Sequence, residues 1–176
     1  DYRLIHGDMI EVRLANQGEE MLTLDGKKHV LNDQTVLITD HNGPIAIAGI
    51  MGGAGSEVQA STTSLVLEIA NFNAASIRRS GQMLGFRTDS SERFEKTLDP
   101  LQIDGAINRF CELLKQMQPQ VRFLRRFDAG DYTRIAPVKI ELTTAMIRSK
   151  LGSPIPDVKL VEILRSLSFA VEQRGD

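Results

Sequence analysis

The sequence predicts an α+β fold, with antiparallel or mixed β-sheets and packed helices over residues 1–134, then a truncated helix-turn-helix unit over residues 135–176. Three observations predict it. Roughly the first sixty residues alternate apolar and polar side chains between Gly, Asp and Asn turns, as strands do. Apolar residues then recur at helical spacing from Asn73 to Met117. Finally, the linker Asp128-Ala129-Gly130-Asp131 separates a tail, beginning near Pro137, that has helix signals of its own.

Ile10-Glu11-Val12-Arg13-Leu14 has the alternation of a half-buried strand. Glu20 to Leu24 and Lys28 to Leu31 flank Asp25-Gly26, a strong hairpin signal. Thr35 to Ile38 is a further strand, closed by the turn Asp40-His41-Asn42-Gly43-Pro44. Ile45 to Met51 is continuously apolar and breaks at Gly52-Gly53-Ala54-Gly55, and Ser64 to Ile69 reads as another strand. Asn73 is placed to cap a helix running to about Leu84. Its Ile77, Ser80, Gly81 and Leu84 share one face, and Gly85 suits the stop. Asp89 with Glu92 predicts a capping box for a short helix. Pro100 opens the longest helix, with Ile103, Ile107, Phe110, Leu114 and Met117 as its stripe and Gln118-Pro119 as its end. Val121 to Phe127 predicts a strand. In the tail, Lys139 to Leu142 predicts a strand, Thr143 caps a helix ending at Gly152, and Ser153-Pro154-Ile155-Pro156 leads to Asp157. That residue caps a helix with Val158, Val161 and Leu164 inward, and Phe169 to Val171 begins a returning strand. The helix pair is weak as a DNA-binding signal, because its second helix offers only Lys159 and Arg165 as cations.

The chain has 176 residues, 41% hydrophobic and 25% charged, enough to build a core. Aromatics are 5% with no Trp, which excludes a stacking platform. A net charge of −2 gives no overall pull on nucleic acid. Cys111 is the only cysteine, so no internal disulfide forms and a reducing, cytoplasmic setting fits. It lies at helical spacing among apolar residues and reads as a core thiol. No apolar run approaches membrane-spanning length. The opening Asp1-Tyr2-Arg3-Leu4 reads as mid-sequence, which predicts an excised piece of a longer protein.

His6, His29 and His41 fall on separate strands and turns without partners at ligand spacing, so no metal site is predicted. Gly52 to Gly55 fits neither a P-loop nor a dinucleotide fingerprint. It reads as a turn needing positive φ or as a place where a ligand meets backbone N–H groups. Glu68 lies within Leu65-Val66-Leu67-Glu68-Ile69-Ala70, a strand that otherwise reads as buried, where a carboxylate is costly unless it finds a donor. Local pattern favours an exposed Glu68, or one paired with Arg87 or Arg93, over a binding role. Thr88-Asp89-Ser90-Ser91 reads as a cap or as a seat for an ester oxygen or phosphate. Arg78 with Arg79, and Arg122 with Arg125 and Arg126, read as a solvated face or as phosphate contacts.

A set of motifs then shifts the balance. Ala48-Gly49-Ile50-Met51-Gly52-Gly53, Leu67-Glu68 with Phe72, Ser76-Ile77-Arg78-Arg79, Leu84-Gly85, Arg87-Thr88-Asp89-Ser90-Ser91, Arg93-Phe94-Glu95 and Asp99-Pro100 occur in one order and spacing. Across about Ile10 to Leu114 this resembles the β subunit of bacterial phenylalanyl-tRNA synthetase. The resemblance implies a B3/B4 editing module up to about Arg134, and the start of a B5 domain from Pro137. It implies hydrolysis of tyrosine wrongly attached to tRNA(Phe), a correction needed because a pocket built for Phe cannot strongly reject an analogue that adds a hydroxyl.

On the same basis Glu68 accepts a hydrogen bond from the tyrosine hydroxyl, Thr88 and Ser90 line the site, and Gly52 belongs to its wall. Arg78 and Arg79 become candidate tRNA contacts. Glu68 is thereby assigned to recognition, and the attacking water to backbone groups and the tRNA's terminal ribose, with no general base named. Partners would be the α subunit, in a heterotetramer of two α and two β subunits, and tRNA(Phe). ATP and Mg²⁺ serve the whole enzyme, with no cofactor in this segment. The chain departs from the family at Ser90, often Ala there, and at Lys96-Thr97-Leu98. The family's site also uses a His upstream of Asp1. The alternative is a non-catalytic module of the same type that holds tRNA or a protein.

Overall fold

Leu37 and Ile47 stand opposite each other on neighbouring strands and are 0% and 1% exposed, so the core forms around this pair. The computed structural model describes residues 1–7, 9–85, 87–130 and 138–174. The chain divides into two units, Asp1–Thr133 and Arg134–Asp176. The expected boundary at 134/135, the linker residue Asp131 and the expected start at Pro137 lie outside the described residues.

In the first unit, β1 (Glu11–Leu14), β4 (Val36–Asp40), β5 (Gly43–Ile47) and β6 (Met51–Gly52) form one antiparallel sheet in that order. A second sheet is the hairpin of β2 (Glu20–Leu22) and β3 (Lys28–Val30), turning through the expected Asp25-Gly26. Thr23 bridges to Gly53, and Leu24 donates its N–H to the Gly52 carbonyl at 3.0 Å, which joins the two sheets. Met21 and Leu31 of the hairpin meet Leu37, Ile47, Ile50 and Ile77 in one cluster. The architecture is thus α+β with antiparallel sheets, as expected.

Helix α1 (Ala74–Leu84) begins where Asn73 accepts the Ser76 N–H and ends at Gly85 in the left-handed region. Its expected inner face holds, with Ile77 and Ser80 buried. In α2 (Asp89–Phe94) the cap is Thr88, paired with Ser91, and not the expected Asp89–Glu92. The Thr88 hydroxyl reaches its third-residue N–H, which leaves Asp89 as the exposed first helical residue. Helix α3 (Gln102–Met117) starts after Asp99-Pro100 and stops at Gln118. Ile103, Ile107, Phe110 and Leu114 are half-buried beside Cys111, whereas Met117 is exposed.

Several expected strands are absent. Ser64–Ile69, Val121–Phe127, Lys139–Leu142 and Phe169–Val171 have strand-like side chains but join no ladder among the described residues. A strand needs a neighbour for its N–H and C=O groups, and side-chain pattern cannot supply one. The apolar run Ile45–Met51 is not one strand either: it folds back through Ala48-Gly49-Ile50, so β5 and β6 pair with each other. The face of β1 is inverted as well. Val12 and Leu14 are exposed, while Arg13 lies opposite Leu37 and ion-pairs with Glu19 at 2.7 Å. This partner holds the Glu19 carboxyl below its ordinary pKa. The register places Arg13's aliphatic stem over the core, a place an arginine can take by keeping its charged head outside.

In the second unit, α4 (Thr144–Leu151) is capped by Thr143 and stopped by Gly152, as expected. Helix α5 (Asp157–Ser166) buries Leu160, not Val158, which is 73% exposed. Asp157 is its first residue rather than its cap, and it pairs with Arg148 of α4.

Removing the Leu37 side chain from the centre of the first unit should be costly. Leu37→Ala is expected to lower stability by about 2–5 kcal/mol, read as a fall in the urea midpoint.

Candidate functional site

The hairpin turn Ala48–Ile50 is the anchor of the site. Gly49 takes φ +67, and a Cβ there would lie 2.9 Å from Phe72 and 3.0 Å from Ile77, so both backbone and space require glycine. The turn exposes two successive carbonyls. Thr88 donates its hydroxyl to the Ile50 carbonyl at 2.7 Å, and Ser90 donates to the Gly49 carbonyl at 3.0 Å. Two side chains at the start of α2 are thereby latched to a turn 38 and 41 residues earlier.

Beside this latch lies a cleft of about 190 Å³. Ile38, Ala46 and Gly52 form one side, Phe94 adds an aromatic wall, and Glu68 and Ser90 supply the polar atoms. Phe94 is held edge-to-face on Phe72, with ring centroids 5.1 Å apart. Asn71 donates to the Leu98 carbonyl at 2.9 Å, closing the segment around the cleft.

The structure therefore brings Gly52, Glu68 and Ser90 to one cleft. Thr88 is not among its lining residues: its hydroxyl is committed to Ile50 on one side and to the Ser91 N–H on the other. The Ser90 hydroxyl points its proton at Gly49, so in this chain it reinforces the latch where an alanine would not. The glycines 52–55 are not a positive-φ turn. Gly53 is required by close approach instead, since a Cβ there would sit 2.6 Å from the Met21 methyl and 2.8 Å from the Ile45 carbonyl oxygen. Its N–H is given to that same carbonyl at 2.8 Å, which removes it from ligand contact.

Of the two places local pattern favoured for Glu68, the structure has the exposed one and not the pairing with Arg87 or Arg93. Arg87 pairs with Glu95 and, at 3.6 Å, with Glu92, while Arg93 donates to the Asp89 carbonyl at 2.6 Å. Although Glu68 keeps an open surface, the atoms packed around its carboxyl raise its pKa above the ordinary glutamate value, and burial is the cause. No donor in the described protein offsets that cost.

Arg78 and Arg79 lie on the exposed side of α1. Arg78 donates to the Glu95 carbonyl at 2.9 Å, and Arg79 makes only a 3.4 Å contact with the Ser76 hydroxyl. Arg78, Gly81, Arg87 and Glu95 also line a larger open groove, of about 500 Å³, in which Arg87 ion-pairs with Glu95. Among the described residues, no three His, Cys, Asp or Glu side chains gather in a way that would hold a metal ion. No helix among them is long and apolar enough to cross a membrane. Ile38, Ala46 and Phe94 were not foreseen as site residues. Within an unbroken apolar run no period marks which residues face a cleft; cross-strand register decides it.

The B3/4 domain family matches residues 1–119. The chain is 44% identical over 176 residues to the phenylalanine–tRNA ligase beta subunit of Protochlamydia amoebophila, covering 99% of this chain and 22% of that protein. It is 38% identical over 173 residues to that of Solibacter usitatus, covering 98% and 22%. With that of Halalkalibacterium halodurans the identity is 36% over 176 residues, covering 100% and 22%. The chain thus spans about a fifth of the length of these relatives.

Two outcomes follow from the geometry. Thr88→Val deletes both the cap and the bond to Ile50 and should cost about 1–2 kcal/mol, whereas Thr88→Ser should retain most of it; denaturant midpoints compare the three proteins. Folded Glu68 holds its proton to higher pH than the unfolded chain does. Its burial cost is therefore absent below an ordinary glutamate pKa and complete above the raised one. Glu68→Gln should raise Tm at neutral pH, with the difference closing as pH falls into the ordinary carboxylate range.

Proposed function

The chain belongs to the B3/4 domain family, and from that premise we propose that it is the editing segment of a phenylalanine–tRNA ligase beta subunit, which recognises and hydrolyses tyrosine wrongly esterified to tRNA(Phe). One observation carries this reading: the Glu68 carboxylate stands on the wall of an apolar cleft with a raised pKa and no donor among the described residues. A tyrosyl ring in the cleft supplies the missing O–H donor. A phenylalanyl ring covers the carboxylate with carbon and leaves it unpaired, so the correct product is disfavoured.

The reaction adds water across the aminoacyl ester, releasing tyrosine and restoring the free hydroxyl of the tRNA's terminal ribose. Glu68 acts here in recognition, and Ser90 and Thr88 keep the wall in place. Glu68 is the one titratable group among the described lining residues, and its role in recognition leaves no general base to name in this segment. Attachment of phenylalanine with ATP and Mg²⁺ belongs to other parts of the enzyme. The residues here do not fit those groups: the described carboxylates form no metal cluster, and the Gly53 N–H is already bonded to Ile45. The partners of the segment are then the α subunit, in an assembly of two α and two β subunits, and tRNA(Phe). Arg79, the less engaged of the α1 arginines, is the better placed to meet tRNA phosphate.

The absence of a second titratable group from the described lining also favours a second reading, a module that binds the aminoacyl end without hydrolysing it. Deacylation of Tyr-tRNA(Phe) by the complete ligase separates the two. Editing predicts hydrolysis by the parent and a fall in kcat/KM of roughly 10- to 100-fold in Glu68→Ala, the value of one charge-assisted hydrogen bond. Unchanged selectivity between tyrosyl and phenylalanyl esters in that variant would remove Glu68 from recognition, and no hydrolysis by the parent would leave the binding module.

A further inference from the structure

Three cross-strand pairings run in sequence across the larger sheet. Val12 lies opposite Ile38, Ile38 opposite Ala46, and Ala46 opposite Gly52. Residues directly opposite in antiparallel strands share a face, so these four form one row on one face of the sheet. The adjacent row, with Leu37 opposite Ile47, points into the core. Ile38, Ala46 and Gly52 of the first row line the cleft, with Ile47 and Met51 of the adjacent row and Gly49 and Ile50 of the turn beside them.

These positions differ in how they can set the cleft's depth. Ile38 is 6% exposed, so its side chain is already packed beneath the surface. Gly52 has little room for a side chain, since a Cβ there would meet Leu24 at 3.2 Å. Ala46 is half-buried and presents a single methyl group, with β5 paired on both sides to hold it. We propose that Ala46 is a specificity-determining residue: its methyl sets the floor on which the substrate ring rests, so residue 46 controls the largest aromatic ester the cleft admits. This rests on the reading of the cleft as an aminoacyl-ester site. It assigns ring size to Ala46 and hydroxyl recognition to Glu68, two separate tests of one side chain.

The experiment uses the complete ligase and two esters of tRNA(Phe), tyrosyl and 3,5-dimethyltyrosyl. The second ring is wider on both edges, so flipping it does not relieve crowding. The readout is the ratio of their deacylation rates, wider ring over tyrosyl. Ala46→Val should lower that ratio and Ala46→Gly should raise it, each by about tenfold, the scale set by a methylene in an apolar pocket. General damage to the fold would slow both esters together and leave the ratio unchanged. If the valine variant does not fold, as judged by its melting curve, the glycine variant alone decides. An unchanged ratio in the folded variants overturns the role of Ala46 while the parent still clears tyrosyl-tRNA. A parent that clears neither ester overturns the editing reading itself.

Discussion

The hydroxyl latch between α2 and the Ala48–Ile50 turn is the contact on which the rest of the site depends. Thr88 and Ser90 together occupy two adjacent carbonyls that the tight turn leaves open. Buried carbonyls without partners are costly, so the latch satisfies the turn and fixes the helix in one step. It also explains why the turn needs Gly49, because Phe72 and Ile77 pack where a side chain would otherwise project. Phe72 in turn braces Phe94 on the cleft wall. Glycine, two hydroxyls and two phenylalanines thus form one mutually dependent set, drawn from segments far apart in the chain.

The same arrangement isolates Glu68. Both arginines that could have neutralised it are engaged elsewhere: Arg87 with Glu95 and Glu92, and Arg93 with the carbonyl of Asp89. Both sets of partners lie within and just beyond α2, and neither arginine lines the cleft. An apolar cleft with one unsatisfied acceptor discriminates by what the ligand brings. On the proposed reading, a ligand with a hydroxyl completes the site, and one without it leaves the carboxylate without a donor.

How much of this was legible in the sequence depended on whether a signal was local. Asn73, Thr143, Gly85 and Gly152 set helix ends within a few residues, and α1 and α4 appear where they predict. The Asp25-Gly26 hairpin is equally local. Strand signals fared worse. Ser64–Ile69 and Val121–Phe127 have the side chains of strands, yet a ladder depends on a second segment that no short window contains. Thr88 took the cap expected of Asp89 because its hydroxyl could serve Ser91 and Ile50 at once.

Composition and short-range pattern were enough to determine the α+β class, the principal helices and the motifs that tie the chain to its family. Tertiary structure alone decided which face of each strand is buried. It turned Val12 and Leu14 outward, laid Arg13 over the core and put Ala46 on the lining of a cleft, because register acts through pairing partners and side-chain sequence does not encode those directly. It also decided the state of Glu68. Local pattern offered that carboxylate two arginines nearby in sequence or an exposed place; the fold spent both arginines on nearer acceptors and left Glu68 at the surface of a cleft with a raised pKa.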